Sequence, residues 1–203
     1  MQNVGLFSQE GLIILVNSLK QRLIFLSRFL YSPKTIGSIT PSSKHLVHAL
    51  MNPIPWHNLK SIVELGSGTG IVTHEILQRA PSDCHVVLFE QDQALRQYLH
   101  HRYPHISLFS DAQYLTQKLK QLQLKQVDCI VSCLPLTNFH PSLRADILNE
   151  IQNALTPNGL YIQYQYSLHL KKWLEVRFSS VNIRFIPLNI PPSFIFICKN
   201  FIQ

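Results

Sequence analysis

The sequence predicts a doubly wound α/β fold on a seven-stranded, mostly parallel sheet. First, the apolar run that begins at residue 61 ends in three glycines at alternate positions, and a helical pattern follows at once. Second, strand-length apolar runs alternate with segments of helical period as far as residue 177. Third, two more strand-like runs follow, joined by Pro191 and Pro192, which predicts an antiparallel pair at one edge of the sheet.

Residues 9–31 predict an amphipathic helical extension before this fold. Apolar side chains recur at steps of three and four from Leu12 to Leu30. Lys20 and Arg22 interrupt the run, so it contains no 18-residue apolar span that could cross a membrane. Two interpretations remain open: the helix packs on the core, or it lies in a membrane interface with its cations toward the headgroups.

The segment after this helix contains turn residues and then a short helix. Prolines and a glycine keep residues 32–41 irregular, and Ser42 or Ser43 is expected to cap a helix that runs to Leu50. If the helix lies in a membrane interface, residues 1–57 form an N-terminal membrane-interface and substrate-lid segment. Residues 58–203 are then expected to form a separate domain that contains the α/β fold.

The remaining elements follow one another with turn residues between them. Val86–Asp92, for example, is a second buried strand, and Pro157, Asn158 and Gly159 stop the helix before them. Besides the strand that ends at Leu65, we expect strands at 86–92, 106–112, 127–136, 160–167, 182–190 and 193–200, and helices at 71–80, 93–102, 113–124, 142–155 and 168–177.

The positive charge is concentrated at the two ends of the chain. The net charge of the 203 residues is +7, with +5 in residues 1–60, −2 in residues 61–170 and +4 in residues 171–203. An excess outside the central domain predicts an anionic partner, either the phosphates of nucleic acid or lipid headgroups.

The cysteines predict no disulfide framework and no metal site. Cys84, Cys129, Cys133 and Cys198 form no CxxC pair, and three of them lie in apolar runs. We therefore expect reduced, buried thiols in a cytoplasmic protein that binds no metal.

The glycine loop after the first strand predicts a cofactor crevice. Gly66, Gly68 and Gly70 let the backbone turn tightly and approach a ligand closely. Glu64 stands in the strand end, where a carboxylate would repel a phosphate and attract a cation. S-adenosylmethionine has an amino group and a sulfonium, so it is the cofactor we expect.

Acids stand at the carboxyl ends of three successive strands, namely Glu64, Glu90 and Asp111. Glu90 lies twenty-four residues after Gly66, and its carboxylate could accept both hydroxyls of a ribose. Asp111, followed by Ala112, suits an adenine edge. The alternative for each acid is a role at a helix N-terminus, where the dipole favours negative charge.

Four motifs in residues 60–165, namely ELGSGTG, FEQD, SDA and L-TPNG, resemble those of class I S-adenosylmethionine-dependent methyltransferases, which have a Rossmann-like fold. Asn158 departs from the double glycine that is common in this family after the proline. The resemblance implies the following cofactor-binding residues: Glu64, Gly66, Ser67, Gly68, Thr69, Gly70, Glu90, Gln91, Asp111, Ala112, Ser132 and Leu134.

Three further motifs, SPKTIGSITPSS, SCLPLTNF and LNIPPSF, resemble bacterial phospholipid N-methyltransferases along the whole chain. This resemblance implies that the N-terminal helix lies on the membrane. It also implies stepwise methylation of phosphatidylethanolamine to phosphatidylcholine. The expected location is therefore cytoplasmic and peripheral, on the inner face of the cell membrane.

An acceptor amine must arrive unprotonated and aligned, because methyl transfer is a direct displacement. Tyr31, Tyr164 and Tyr166 are the candidate catalytic residues that would orient it, although each could equally be a packing aromatic. The candidate substrate-binding residues are Arg28, Lys34, Ser42, Lys44 and Pro135. The cations among them, Arg28, Lys34 and Lys44, would hold the lipid phosphate unless they are ordinary solvated charges.

Two alternatives to a lipid methyltransferase remain. An rRNA adenine methyltransferase would carry N-L-P-Y after the fourth strand, where this chain has Cys133, Leu134, Pro135 and Leu136. The thiol lacks the amide that would hold an adenine, and leucine cannot stack on a flipped base as an aromatic does, so nucleic acid is disfavoured. The second alternative is a methyltransferase fold that binds a membrane or RNA without catalysis. Intact acids at 64, 90 and 111 argue against it.

Overall fold

The computed structural model describes residues 41–189 and 191–201, and it describes the side chains from residue 44 onward. The predicted helix over 9–31 lies outside the described residues, and so do the candidates Arg28, Tyr31 and Lys34. The division of the chain at residue 57 therefore stays a prediction.

Seven strands form one sheet in the order β3-β2-β1-β4-β5-β7-β6. The first five strands are parallel, and β7 runs antiparallel to both β5 and β6. This arrangement confirms the predicted doubly wound sheet with an antiparallel pair at one edge. The strands are β1 (Ser61–Leu65), β2 (His85–Phe89), β3 (Ser107–Phe109), β4 (Val127–Ser132), β5 (Leu155–Gln165), β6 (Ser180–Ile186) and β7 (Ser193–Lys199).

Helices cover both faces of the sheet because each has one apolar side. Helix α5, for example, buries Ile147, Leu148, Ile151 and Ala154 at helical spacing and exposes polar residues between them. The described helices are α1 (Pro41–Met51), α2 (Ile71–Arg79), α3 (Gln93–Arg102), α4 (Leu115–Gln121), α5 (Pro141–Ala154) and α6 (Lys171–Glu175).

The core lies between the central strands and their helices. All five residues of β1 are buried, as expected for a parallel strand that is covered on both faces. On one face, Tyr161 and Phe196 of the sheet share an apolar cluster with Leu174 of α6. The helix α1 belongs to the same body, since it buries Leu46, Val47, Leu50 and Met51.

Several element boundaries differ from the predicted ones. Strand β5 begins at Leu155 and not at 160, because Leu155 pairs with Val127 and the register then shifts before Leu160 pairs with Cys129. Asn158 takes a positive φ of 59° within this irregular stretch. Strand β3 and helix α6 are shorter than predicted, and α1 begins at Pro41, so that Ser42 lies in its first turn and does not precede it.

Asp128 ties together the amino ends of β1 and β4. Its Oδ2 atom accepts hydrogen bonds from the backbone N–H groups of Lys60 and Ser61, at 2.8 and 3.0 Å, and from the Ser61 hydroxyl at 3.2 Å. This clamp lies at the edge of the sheet opposite the carboxyl ends of the parallel strands. It therefore gives a test of stability that is separate from the crevice.

Asp128→Ala should lower the free energy of unfolding by about 1–3 kcal/mol, because two backbone N–H groups lose a charged acceptor. Urea unfolding measures the change. The matched control is Asp83→Ala, which removes an exposed ion pair with Lys60 and should have a smaller effect. Equal losses in the two variants would show that the clamp adds nothing beyond a surface charge.

Candidate active site

The carboxyl ends of β1, β2 and β4 meet where the strand order reverses, which is where ligands bind in open α/β sheets. The N–H groups of Gly66 and Ser67 both donate to the carbonyl oxygen of Phe89, at 2.8 and 3.1 Å. The N–H of Cys133 donates to the carbonyl oxygen of Leu65 at 2.9 Å. Backbone hydrogen bonds therefore hold the glycine loop between the ends of its two neighbouring strands.

The glycine loop is packed at its two ends and open in the middle. A Cβ atom on Gly66 would lie 3.1 Å from Leu134 Cδ2, and one on Gly70 would lie 2.8 Å from Leu99 Cδ2. Gly68 has no heavy atom within 4 Å of its Cβ direction. All three have positive φ angles, so side chains are disfavoured throughout the loop. The centre of the loop thus leaves room for a ligand to approach the backbone.

Glu64 lies beneath this loop and is 1% exposed. Its Oε2 accepts a hydrogen bond from Thr73 Oγ1 at 2.5 Å, and within the described residues Oε1 has no hydrogen-bond partner. Burial raises the pKa of Glu64 to about 8, the hydroxyls of Thr73 and Ser67 oppose this shift, and the charge of Glu90 adds to it. Glu64 is therefore mostly protonated at neutral pH unless a cation approaches it.

Glu90 connects the end of β2 to the glycine loop. Its Oε2 accepts from the N–H of Gly68 at 2.7 Å, and its Oε1 accepts from the N–H of Asp92 at 2.9 Å. The helix cap that was the alternative role for this acid belongs to Asp92, which accepts from the N–H of Leu95 at 2.9 Å. Glu90 thus presents a carboxylate at the centre of the loop.

Arg96 of α3 holds the turn that follows Glu90. The Nη1 atom of Arg96 donates to the carbonyl oxygens of Glu90 and Gln91, at 2.9 and 2.5 Å, while Gln91 itself is exposed. Arg96 therefore holds the backbone at Glu90 and Gln91 without contacting the Glu90 carboxylate, which faces the glycine loop.

At the end of β3, Asp111 takes the capping role that was its alternative. Its Oδ1 accepts from the N–H of Gln113 at 2.9 Å, at the start of the short 3-10 turn Ala112–Tyr114. Ala112 is buried and Asp111 is half-buried. A contact with adenine stays a prediction for this pair.

The loop after β4 is held by two residues that the sequence analysis missed. The side-chain amides of Gln163 and Gln165 both donate to the carbonyl oxygen of Leu134, at 3.1 and 3.0 Å. Gln163 also accepts from the Tyr161 hydroxyl at 2.6 Å, and Gln165 accepts from Thr137 Oγ1 at 3.2 Å. The sequence does contain a pattern that could have indicated them, since two side-chain amides at alternate positions interrupt an otherwise apolar strand.

Tyr164 and Tyr166 lie at the end of β5, next to this loop. The hydroxyl of Tyr164 donates to the hydroxyl of Tyr166 at 3.1 Å, and the two rings meet edge to face with centroids 5.4 Å apart. Tyr164 is buried and Tyr166 is exposed. Burial raises the pKa of Tyr164, so its hydroxyl stays protonated at neutral pH.

The other predicted site residues lie along this edge of the sheet and on α1. Ser132 is buried and accepts from the N–H of Leu134 at 3.3 Å, while Pro135 and Thr69 are half-buried. Lys44 is exposed on α1. Across the described ranges, no cluster of three His, Cys, Asp or Glu could ligate a metal, and no helix has the length and apolarity to span a membrane.

These features fit S-adenosylmethionine. Among the described residues, three buried polar atoms beside the loop have no hydrogen-bond partner, namely Glu64 Oε1, Ser67 Oγ and the hydroxyl oxygen of Tyr103, whose ring lies against Gly70. A buried carboxyl can accept from a cationic amine and hold its charge, and a half-buried carboxylate such as Glu90 can accept from ribose hydroxyls. The open centre of the loop at Gly68 provides the space between these groups.

Comparison with known proteins shows that the chain is similar to methyltransferases. Residues 62–159 match the family described as "Methyltransferase domain". The chain is 32% identical to the ornithine lipid N-methyltransferase of Singulisphaera acidiphila over 186 residues, which are 89% of this chain and 97% of that protein.

Solved structures share the fold at low sequence identity. The 1,6-didemethyltoxoflavin-N1-methyltransferase of Burkholderia thailandensis has a TM-score of 0.62 at 13% identity, covering 98% of this chain and 93% of its own. The N-methyltransferase NodS of Bradyrhizobium japonicum has a TM-score of 0.60 at 12% identity, covering 80% of this chain and 98% of its own.

Glu90→Ala should weaken the binding of S-adenosylmethionine about tenfold or more, because a ribose acceptor and the support of Gly68 are both lost. Titration calorimetry measures the affinity. The control is Asp92→Ala, which removes the cap of α3 two residues away and should lower stability by about 1 kcal/mol with unchanged affinity. Wild-type affinity in the Glu90 variant would contradict the assignment of this acid.

Glu64 should make the stability of the ligand-free protein depend on pH. Between about pH 4.5 and pH 8 the folded carboxyl holds a proton that the unfolded chain releases, so the free energy of unfolding should fall as the pH rises. Urea unfolding at several pH values in this window measures the slope. Glu64→Gln should remove this contribution, and an unchanged slope in that variant would show that Glu64 ionises normally in the folded protein.

Proposed function

Because the chain belongs to the class I S-adenosylmethionine-dependent methyltransferases, and among them to the lipid N-methyltransferase type, we propose that it methylates the amine of a membrane aminolipid. S-adenosylmethionine is its methyl donor. The observation that carries the proposal is the match to a lipid N-methyltransferase along nearly the whole of both chains.

The donor end of the site is built from β1, β2 and the glycine loop. S-adenosylmethionine supplies the methyl group that is transferred. Glu64 and Ser67 would hold its amino end, since both have a buried oxygen without a partner in the described structure. Glu90 would hold the ribose while it keeps Gly68 in place.

The acceptor end is the loop that carries Leu134 and Pro135. Leu134 lies against Gly66, so the apolar side chains of this loop adjoin the glycine loop directly. An apolar wall excludes water and suits the aliphatic part of a lipid. Both glutamines of β5 hold the Leu134 carbonyl and leave the leucine side chain fixed on this wall.

The position of Leu136 disfavours a nucleobase acceptor. In rRNA adenine methyltransferases the matching residue is the aromatic that stacks on the flipped base. Here Leu136 is fully buried and belongs to the main apolar cluster of the sheet. A side chain at this position points into the core, so it cannot provide the stacking surface that a base needs.

Methyl transfer to the acceptor amine depends more on the orientation of its nitrogen than on a strong base. The neutral hydroxyl of Tyr164 donates to Tyr166, and its oxygen keeps a lone pair that could accept an N–H of the incoming amine and so orient the nitrogen lone pair toward the methyl group. Burial raises the pKa of the Cys133 thiol, which therefore stays protonated. We accordingly propose direct transfer to nitrogen, without a methylated cysteine.

The acceptor is one of two lipid classes that present a primary amine. The curated relative favours an ornithine lipid, and the resemblance of the sequence motifs favours phosphatidylethanolamine. Both lipids lie in a membrane whose surface is negatively charged, which suits the basic ends of the chain. We propose that the protein acts as a peripheral enzyme on the inner face of the cell membrane.

The test is transfer of labelled methyl groups from S-adenosylmethionine to four acceptors offered separately. These are vesicles that contain ornithine lipid, vesicles that contain phosphatidylethanolamine, vesicles of phosphatidylglycerol alone, and ribosomal subunits. We expect label in one or both aminolipids and none in the other two samples. Label in ribosomal RNA alone, or in no acceptor, would overturn the proposal.

A further inference from the structure

The β6–β7 turn stands at the same edge of the sheet as the active site. Strand β6 is antiparallel to β7, which is antiparallel to β5, so β6 ends at the same edge as β5. Phe194 pairs with Gln165 on one side and with Phe185 on the other. The turn that follows β6 therefore lies about two strand spacings, roughly 10 Å, from the end of β5.

Four large side chains are exposed there, and we call them the apolar tip: Tyr166, Leu168, Phe185 and Leu188. Leu188 is 63% exposed and Phe185 is 55% exposed. Phe185 extends a ring contact from Phe194, with centroids 5.1 Å apart. Single exposed apolar residues are ordinary, but four of them follow or end β5 and β6 at this one edge, with Phe185 on the face of Gln165 and Tyr166 beside Tyr164 on the opposite face, so the edge itself is marked as an interaction surface.

In the described part of the turn, the exposed Leu188 is next to a buried side chain. The side chain of Asn189 is buried, and its Nδ2 donates to the carbonyl oxygen of Pro191 at 2.7 Å. Pro187 comes before Leu188, and its ring restricts the backbone there. Leu188 therefore lies between a proline and a buried, hydrogen-bonded asparagine.

The charges around the apolar tip identify its partner. Residues 185–198 contain no charged side chain, and residues 166–201 contain only one acid, Glu175. Arg184 and Lys172 are exposed at the margins, on β6 and at the start of α6. An apolar centre with cations at its border matches the layered chemistry of a bilayer surface, where acyl chains lie below anionic headgroups.

We propose that the apolar tip inserts into the membrane, with Leu188 at the boundary between headgroups and acyl chains and with Arg184 and Lys172 against anionic headgroups. This inference rests on the proposed function, because it assigns the described surface through which the site meets its lipid. The insertion would bring the Leu134 loop and the end of β5 to the bilayer, so an aminolipid headgroup could reach them without leaving the membrane.

The direct test places a tryptophan at the tip of the full chain. In Leu188→Trp, emission should shift to the blue and be quenched about twofold or more by vesicles of phosphatidylglycerol that contain lipids brominated on their acyl chains. The wild-type chain, which has two tryptophans, provides the background to subtract. The matched control is Val176→Trp, at the most exposed large apolar residue of the described chain (73%) and near the opposite edge of the sheet, since Arg177 bonds to Gln152 late in α5.

Three results would overturn the inference. The first is equal quenching in the two variants. The second is no quenching in Leu188→Trp while the protein binds the vesicles. The third is a blue shift that depends on protein concentration without vesicles, because this would assign the tip to a second copy of the chain. Leu188→Asp should weaken vesicle binding about tenfold while affinity for S-adenosylmethionine is kept, and Val176→Asp should change neither. Wild-type vesicle binding in Leu188→Asp would also contradict the inference.

The same preparations separate this inference from the proposed function. If the wild-type chain labels an aminolipid and Leu188→Trp is not quenched, membrane insertion of the apolar tip is wrong and the proposed function stands. If Leu188→Trp is quenched and no aminolipid is labelled, the insertion stands and the proposed function is wrong.

Discussion

The site is organised around one buried carboxyl group, Glu64, which is poorly stabilised by its apolar surroundings unless a cation binds next to it. Glu64 lies in the middle of a sheet, its hydrogen bond from Thr73 satisfies one oxygen, and burial keeps its pKa near 8. An apolar residue would fill this position in β1 at less cost in desolvation. A carboxyl is understandable there if a positively charged ligand binds above it, and the open centre of the glycine loop gives such a ligand access.

The rest of the edge is held in relation to that carboxyl by contacts between successive strand ends. Phe89 receives the N–H groups of the glycine loop, and Glu90 receives Gly68, so β1 and β2 present one continuous surface. On the other side, Leu134 packs on Gly66 while β5 holds its carbonyl through two glutamines. The proposed donor and acceptor would therefore meet between two loops that touch. In the proposed membrane-bound state, the apolar tip at the end of β6 would extend this edge toward the lipid.

The sequence predicted the order of strands and helices because buried parallel strands and glycine turns leave strong local patterns. It also predicted the acids at the strand ends, since position along a strand determines which edge a side chain reaches. It misplaced the start of β5, because Pro157 and Gly159 read as a loop while pairing with β4 makes the segment part of a strand. It could not assign Gln163 and Gln165, whose partner Leu134 lies about thirty residues away in the chain, nor the capping of α3 by Asp92 that leaves Glu90 available.

The most direct measurement is the number of protons that S-adenosylmethionine displaces when it binds. Calorimetry at neutral pH in two buffers of different ionisation enthalpy gives this number. If Glu64 receives the cationic end of the ligand, it must lose its proton on binding, so the wild-type protein should release close to one proton and Glu64→Gln should release none. Tight binding to the wild-type protein without proton release would contradict the role of Glu64 as the receptor for the ligand's charge.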